Sequence, residues 1–267
     1  MNIFRHKFET LLINQPQQYI AVVTLNRPQV RNALNTAMMT DLRDLFQQLY
    51  VDQQNLRAVV VTGAGNKAFC AGGDLKQRNS MSDTQWQQQH AILEQAIRAM
   101  MACPLPVIAA VNGDCMGGGL EIALCCDFIY AAQSARFAMP EGKLGIMPGG
   151  AGTQNLPRAV GDRRARELIM TGRLFSAENA SQWQLVNKVV TSDELMPSVL
   201  EVGAEIAALA PLSVAQVKSS ISVASQVDIT TGYAFEIAAY NRLVPTADRL
   251  EGVAAFNEKR KPNFRGE

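Results

Sequence analysis

Residues 107–152 read VIAAVNGDCMGGGLEIALCCDFIYAAQSARFAMPEGKLGIMPGGAG. This stretch decides the fold because it predicts a strand, a turn and a helix in immediate succession. Val107–Val111 is short, uncharged and largely β-branched and follows Pro106, a pattern that is typical of a buried strand. An Asn-Gly pair then predicts a turn. Three glycines follow and lead into an apolar helix that we expect from residue 120 to about residue 126.

The three consecutive glycines, Gly117 to Gly119, suit a place where the backbone comes close to a ligand. Glycine permits such an approach, and the first N–H groups of a helix have no partner within the helix. The helix dipole adds partial positive charge at the same end. We therefore expect the start of this helix to bind an oxygen that is, or becomes, an anion.

Two carboxylates follow this helix start in the sequence. Glu121 comes three residues after Gly118, so on a helix its carboxylate shares a face with that N–H group. Glu141 follows Pro140 in an apolar, turn-rich segment. Each glutamate alone has an ordinary explanation, as a first-turn residue stabilised by the dipole or as a solvated loop residue. Together with an anion-binding amide, they indicate proton transfer next to a carbonyl group.

The composition is that of a globular protein. The 267 residues suffice for one large domain or for a domain with a smaller appendage. Hydrophobic residues make up 48% and charged residues 18%. The formal net charge of +1 favours neither nucleic acid nor an anionic membrane surface as a partner. The longest charge-free run near the middle of the chain is shorter than a bilayer span, so we predict no membrane insertion.

The cysteines and histidines indicate a reducing location. The five cysteines have no metal-binding spacing, and an odd number that includes the adjacent pair Cys125 and Cys126 argues against a disulfide framework. With only His6 and His90 available, we expect neither a histidine-based metal site nor a histidine triad. The first residues lack the apolar core of a signal peptide. We therefore predict a cytoplasmic protein without a metal.

The chain as a whole predicts mixed α/β structure in residues 1–192 and helices in residues 193–267. Periodicity and β-branched content predict strands over 19–25, 56–62 and 186–190 and helices over 36–50, 84–101 and 162–171. Further helices are expected near 193–209, 213–225, 230–243 and 248–258. The polar residues 77–83 are predicted to be mobile, and His90 is interpreted as a core residue of its helix.

Residues 63–68, GAGNKA, match the glycine fingerprint of dinucleotide-binding folds in form only. A second glycine loop follows at once, so no helix begins where the fingerprint requires one. Asp83, at the distance of the acidic residue, lies in a polar stretch and not at a strand end. We therefore interpret residues 71–76, AGGDLK, as a loop whose backbone N–H groups supply a second donor to the anion.

With these residues in place, the chain resembles the crotonase superfamily, and most closely the enoyl-CoA hydratases. The motifs are LNRPQVRNAL, AFCAGGDLK, AAVNGDCMGGGLEIALCCD, FAMPEGKLGIMPGGAGTQNLPRAVG and DRLEGVAAFNEKRKPNF, and their order covers nearly the whole chain. The resemblance implies a right-handed spiral of ββα units with two roughly perpendicular sheets. It also implies a C-terminal helical region that mediates trimers, which commonly pair into hexamers.

The activity implied by the resemblance is hydration of the 2,3 double bond of a trans-2-enoyl-CoA thioester to a 3-hydroxyacyl-CoA. CoA is part of the substrate, and no separate cofactor is implied. Gly73 and Gly118 match the two N–H donors to the thioester oxygen, and Glu121 and Glu141 match the two hydratase carboxylates, with the assignment of acid and base left open. Further residues match positions that bind the substrate: Arg31, Ala33, Ala71, Gly72, Asp74, Leu75, Lys76, Met116, Gly117, Pro140, Gly149, Tyr240 and Lys259. In some members, the positions of Tyr240 and Lys259 reach CoA from a neighbouring subunit.

Alternatives to hydration remain within the same superfamily. An enoyl-CoA isomerase moves the double bond with one dominant carboxylate. Other crotonase homologues are non-catalytic and bind acyl-CoA or RNA, although both glutamates are retained here and the near-neutral charge gives RNA little to bind. Dihydroxynaphthoyl-CoA synthases share close motifs but lack a carboxylate at the Glu121 position, which argues against that activity. One departure concerns Gly73, where family members often have alanine.

Overall fold

The computed structural model describes residues 2–267, and their strands form two sheets. The larger sheet has the strand order β1-β2-β3-β5-β7-β10, and the smaller has the order β4-β6-β8-β9. The strands are β1 Leu11–Gln17, β2 Ile20–Leu25, β3 Ala58–Gly63, β4 Ala68–Cys70, β5 Val107–Val111, β6 Asp114–Met116, β7 Phe128–Ala132, β8 Arg136–Ala138, β9 Phe175–Ser176 and β10 Lys188–Val190.

Each turn of the chain contributes one strand to each sheet. β3, β5 and β7 lie side by side and parallel in the larger sheet, and each is followed within a few residues by β4, β6 or β8 of the smaller sheet. The register pairs Val59 with Val107 in the larger sheet and Cys115 with Phe137 in the smaller one. Repeating this step produces a spiral, so the predicted α/β class and spiral architecture are confirmed.

Eleven α-helices complete the described chain. They are α1 Thr36–Val51, α2 Leu75–Arg78, α3 Asp83–Ala102, α4 Gly118–Cys125, α5 Gly152–Val160, α6 Asp162–Thr171, α7 Ala177–Gln182, α8 Ser192–Ala207, α9 Pro211–Ala224, α10 Ile229–Leu243 and α11 Ala247–Asn257. The helices predicted over 36–50, 84–101 and 162–171 and the four C-terminal helices are confirmed to within a few residues at their ends.

The segment predicted to be mobile, residues 77–83, links two capped helix starts, and its mobility stays a prediction. Asp74 Oδ1 accepts a hydrogen bond from Gln77 N at 3.2 Å and starts α2. Ser82 forms a reciprocal capping box with Gln85 at the start of α3, with Gln85 Oε1 accepting from Ser82 N at 2.8 Å. Polar side chains therefore satisfy free N–H groups at the two helix starts.

The larger sheet is covered on both faces because successive strand residues point to opposite sides. Ala21, Val23, Val59 and Val61 pack into one core with the apolar faces of α1 and α3. Their neighbours Ile20, Val22, Ala58 and Val60 pack into a second core with Leu195 and Val199 of α8. The division into residues 1–192 and 193–267 stays a prediction, and α8 shares a core with the sheet.

The C-terminal helices are joined to the spiral through polar contacts at defined points. Lys218 Nζ lies 2.7 Å from Asp127 Oδ2, and Arg57 donates to the backbone oxygens of Ala207 at 2.7 Å and Phe264 at 2.6 Å.

Within residues 2–267 no single helix is long and apolar enough to cross a membrane, although α8 and α9 together, bent by 106°, pass that test by length and composition.

All five cysteines are free and buried. Burial raises the pKa of the Cys70 and Cys125 thiols to about 12 and raises the pKa of the other three thiols as well. The five side chains are therefore uncharged thiols at neutral pH and act as small apolar core residues.

Candidate active site

A cavity of about 630 Å³ opens at the N-terminal end of α4. Its walls come from five parts of the chain, namely the segment around the start of α1, α2 with the loop before it, the first half of α3, the start of α4 and the loop that follows β8. The spiral brings these parts together because β4, β6 and β8 are parallel neighbours, so the segments that follow them leave the smaller sheet at the same edge.

Two backbone amides border the cavity without a partner of their own. In the described chain, neither the N–H of Gly73 nor that of Gly118 donates a hydrogen bond to another residue. A short parallel bridge fixes the first loop, in which Leu34 N donates to Gly72 O at 2.8 Å and Asp74 N donates to Leu34 O at 2.9 Å. The two predicted donors are therefore free to bind a ligand oxygen.

The two amide loops are in direct contact, which requires a glycine at position 72. Gly72 has φ +89°, and a Cβ there would lie 2.8 Å from Met116 O and 3.4 Å from Gly118 N. Only glycine combines this left-handed conformation with so close an approach of two backbones. The contact brings Gly73 and Gly118 together in the cavity wall, where a Cβ at position 118 would lie 3.8 Å from Gly73 N.

Glu121 is held by the loop after β8. It lies in the first turn of α4 and is 3% exposed. Its Oε1 accepts hydrogen bonds from Gly150 N at 2.6 Å and Gly152 N at 2.9 Å, while Oε2 has no donor among the described residues. Burial raises the pKa of Glu121, and the two amide hydrogen bonds, with the electrostatic effects of His90 and Arg78, oppose this rise.

Glu141 has fewer hydrogen-bond partners than Glu121, although it is slightly more exposed. It begins a short 3₁₀ helix, Glu141–Leu144, and is 8% exposed. Its Oε2 is buried and has no hydrogen-bond partner in the described chain. Burial, and then the negative charge of Glu121, raise the pKa of Glu141 to about 7. Near neutral pH this carboxyl group is therefore protonated to a large extent and able to give up a proton.

The predicted site residues divide into those that line the cavity and those that do not. Most of the predicted loop residues line it: Ala71, Gly72, Gly73, Leu75, Gly117, Gly118, Glu121, Pro140, Glu141 and Gly149. Asp74 supports the loop instead, because its carboxylate pairs with Arg27 Nη1 at 2.9 Å and caps α2. Ala33 is buried and its oxygen accepts from the same guanidinium at 2.6 Å. Met116 is half-buried, and its backbone oxygen lies against Gly72.

The predicted basic residues lie outside the cavity. Arg31 has φ +53°, is largely exposed, and lies 3.5 Å from Asp114 Oδ2, which Arg136 also contacts. Lys76 is exposed on α2. Tyr240 on α10 and Lys259 after α11 are exposed and do not line the cavity of this chain.

Five cavity residues on α2 and α3 were not predicted as site residues, namely Arg78, Trp86, Gln87, His90 and Leu93. Arg78 is buried and its guanidinium stacks on Trp86, with Cζ 4.7 Å from the ring centroid. His90 was interpreted as a core residue, which is wrong, because it is half-buried in the cavity wall and its ring faces Gly149. Helical spacing identifies the inward face of α3 correctly but does not reveal that the first turns of that face border a cavity.

Comparison with known proteins gives the family of this chain. The family model described as enoyl-CoA hydratase/isomerase matches residues 15–267. The chain belongs to the enoyl-CoA hydratase/isomerase family. YngF of Bacillus subtilis, whose name also covers both hydratase and isomerase, is 41% identical over 258 residues, which are 97% of this chain and 99% of YngF.

Two further family members carry hydratase names. The crotonyl-CoA hydratase of Syntrophomonas wolfei is 38% identical over 253 residues, which are 95% of this chain and 97% of that protein. The crystal structure of an enoyl-CoA hydratase from Bacillus anthracis matches with a TM-score of 0.95 at 40% identity and covers 97% of this chain and 100% of that one. The crotonase fold expected for this enoyl-CoA hydratase/isomerase family member is thereby confirmed.

Proposed function

We propose that this protein hydrates the 2,3 double bond of a trans-2-enoyl-CoA thioester to give a 3-hydroxyacyl-CoA. The observation that carries the proposal is the unequal environment of two buried carboxylates in one cavity. Glu121 receives two backbone N–H bonds, which stabilise its anion, whereas Glu141 has a buried oxygen with no donor and a pKa raised to about 7. One group is thus suited to accept a proton and the other to donate one.

The thioester oxygen would bind between the N–H groups of Gly73 and Gly118. Attack of water on the β-carbon moves negative charge onto this oxygen, where two amides that are already oriented can stabilise it. Removal of one such donor typically costs about 100-fold to 1000-fold in rate. The free hydrogen-bonding capacity of both amides supports this role.

The two carboxylates would then complete the proton transfers. Water forms a C–O bond to the β-carbon and passes one proton to Glu121, while Glu141 gives its proton to the α-carbon. The thioester carbonyl is restored as charge leaves its oxygen. After product release, Glu121 loses a proton to solvent and Glu141 gains one, so no net proton is consumed. Because the two groups interact, their apparent pKa values belong to the pair.

The remaining parts of the proposal concern CoA and assembly. We assign the nucleotide end of CoA to the cations Arg31, Lys76 and Lys259, and we propose a homotrimer or a hexamer in which Tyr240 and Lys259 approach a neighbouring subunit's site. CoA belongs to the substrate, and no separate cofactor or metal is proposed. A cytoplasmic location, without a nucleic-acid or membrane partner, likewise stays a proposal.

Isomerisation is the second candidate, because the family name covers both reactions. Moving a double bond needs one carboxylate that takes and returns a proton, without a bound water. The proposal of hydration rests on the different hydrogen bonding of Glu121 and Glu141, since a single base would leave one of these buried carboxyl groups without a task.

The test is a steady-state scan of trans-2-enoyl-CoA thioesters of increasing chain length, with aromatic analogues included. Hydration removes the conjugated enoyl thioester and its ultraviolet absorbance, so absorbance falls. Incubation with a trans-3-enoyl-CoA gives the opposite signal, since isomerisation creates the conjugated thioester. We expect fast loss of absorbance with at least one trans-2 substrate. Turnover confined to the trans-3 substrate would establish the isomerase instead.

A further inference from the structure

The cavity contains a buried cation that the hydration mechanism does not use. Resting on the function proposed above, we propose that this enzyme prefers a short 2-enoyl-CoA whose acyl chain ends in a carboxylate, and that Arg78 binds this carboxylate. The substrate class is therefore the CoA monothioester of an unsaturated dicarboxylic acid, not a purely aliphatic enoyl-CoA.

The first observation is that the Arg78 guanidinium lacks acceptors within the protein. Arg78 is only 9% exposed. Nε donates to Gln89 Oε1 at 2.9 Å, but among residues 2–267 no oxygen accepts from Nη1 or Nη2, and no carboxylate lies within ion-pair distance. Nη1 and Nη2 are not fully enclosed by protein atoms and Arg78 lines the cavity, so an acceptor supplied by a ligand can bind them there.

The second observation is the position of the guanidinium in the cavity. Arg78 lines the same cavity as Gly73 and Gly118, and a Cβ at position 73 would lie 3.0 Å from Nη1 and 3.1 Å from Cζ. The cation therefore lies beside the residue proposed to hold the thioester carbonyl. A long acyl chain would carry its end past this position, whereas a carboxylate a few bonds beyond the double bond would meet it.

The third observation is that the guanidinium is held in place in advance. Gln89 is 3% exposed, and its Nε2 donates to Thr36 Oγ1 at 2.9 Å and to Gln77 Oε1 at 2.8 Å. These bonds turn Gln89 Oε1 toward Arg78 Nε. One face of the guanidinium also stacks on Trp86. A fixed planar fork of this kind suits bidentate recognition of a carboxylate.

Charge balance for Glu121 is the other role that Arg78 can have. The negative charge of Glu121 does favour the charged form of Arg78, which burial disfavours. That interaction acts at a distance, however, and leaves the Nη1 and Nη2 donors without acceptors. Glu121 also repels an acidic acyl chain, so binding of such a chain would depend on Arg78.

The experiment compares glutaconyl-CoA with trans-2-hexenoyl-CoA, whose uncharged chain has a similar length. The wild-type protein should have at least about tenfold higher kcat/KM for glutaconyl-CoA. In Arg78→Met the ratio of the two kcat/KM values should fall by about 50-fold or more, as for loss of a charge-assisted hydrogen-bonded pair. Arg78→Lys should retain part of the preference, because it keeps the charge but not the fork.

Arg98→Met is the matched control, since Arg98 is an exposed arginine of α3 that pairs with Glu94 outside the cavity. It should leave both kcat/KM values unchanged. Hydration of hexenoyl-CoA by the wild type without preference for glutaconyl-CoA would overturn this inference and leave the proposed function intact. An equal loss on both substrates in Arg78→Met would also overturn it. No hydration of any 2-enoyl-CoA would instead refute the proposed function.

Binding measurements make the test independent of the variants. Glutaryl-CoA and hexanoyl-CoA lack the double bond and should act as competitive inhibitors of the wild-type protein. Glutaryl-CoA should have the lower inhibition constant by at least about tenfold. Equal inhibition constants would overturn the inference even if Arg78→Met does not fold.

Discussion

The carboxylate of Glu141 lies directly against the backbone of Gly117, since a Cβ at position 117 would be 2.8 Å from Oε1. Gly117 also has φ +51°, in the left-handed region that side chains rarely adopt. Gly117, which precedes the proposed amide donor Gly118, thus also makes room for the proposed acid Glu141. Backbone conformation and carboxylate position are coupled at this point.

Gly117→Ala should therefore impair both folding and activity. Strain at a positive φ costs on the order of 1–3 kcal/mol of unfolding free energy. Displacement of the Glu141 carboxylate should lower kcat/KM by about 100-fold, as small misplacements of reacting groups do. Chemical denaturation and steady-state kinetics measure the two effects. Gly142→Ala is the control, because nothing lies within 4 Å of a Cβ there; equal behaviour of the two variants would contradict the coupling.

Both glutamates should be needed for hydration. Glu121→Gln and Glu141→Gln should each lower kcat by about 100-fold or more, because general acid–base groups contribute roughly 100-fold to 10,000-fold. The double variant should be little worse than the poorer single variant, since the two groups act on one water. Glu201→Gln on α8 serves as a control because Glu201 is exposed. Near-wild-type hydratase activity in either single variant would favour isomerisation.

The raised pKa of Glu141 predicts a pH-dependent stability. The folded protein holds this proton up to about pH 7, whereas the ordinary pKa is 4.5, so the wild type loses stability as pH rises between these values. Relative to Glu141→Gln, the loss should be roughly 3 kcal/mol, at about 1.4 kcal/mol per pKa unit. Urea titrations across this window measure the difference, and a constant difference would refute it. Hydration should also slow as pH rises through about 7.

Lys259→Ala should mainly raise KM and leave kcat nearly unchanged. Lys259 is exposed and lies away from the cavity of its own chain, so any contact with CoA is remote from the reacting carbons. Such a contact stabilises substrate and transition state equally. Lys261→Ala removes a neighbouring charge and should change KM less. A large fall in kcat at constant KM would contradict this assignment.

The protein should form a trimer or a hexamer. The C-terminal helices leave large apolar side chains exposed, among them Ile221 at 67%, Ile229 at 86% and Phe256 at 84%. Burial of this surface against another subunit would be favourable. Analytical ultracentrifugation at micromolar concentration should give the mass of three or six chains of 29.1 kDa. A monomer would refute the prediction.

Local patterns were sufficient for the part of the site that lies on one helix. Gly118 and Glu121 are three residues apart, so helix geometry alone places them on one side of α4. Glu141 is different, because its position depends on the pairing of β6 with β8, which lets Gly117 N donate to Ala138 O at 2.9 Å. Spacing in the sequence carries no measure of that pairing, so the sequence offers Glu141 as a candidate carboxylate without fixing its position beside Gly117.

The elements that were missed have polar or very short sequences. β1 contains Pro16 and is mostly exposed, as an antiparallel edge strand can be, so it lacks the apolar alternation used to recognise strands. Arg78 was missed because arginine is rarely buried. The one signal that could have found it was the departure at Gly73, since the guanidinium lies where an alanine side chain would approach it.

Because all five thiols are buried, their rates of alkylation measure local unfolding of the protein. A protonated and inaccessible thiol reacts slowly with alkylating reagents, so modification requires that part of the structure first unfold. Cys103, beside the contact between α9 and the spiral, and Cys70, beside the amide loop, would report on different regions. Mass spectrometry of timed alkylation would thus rank the local stabilities of the spiral and of its C-terminal junction in the folded protein.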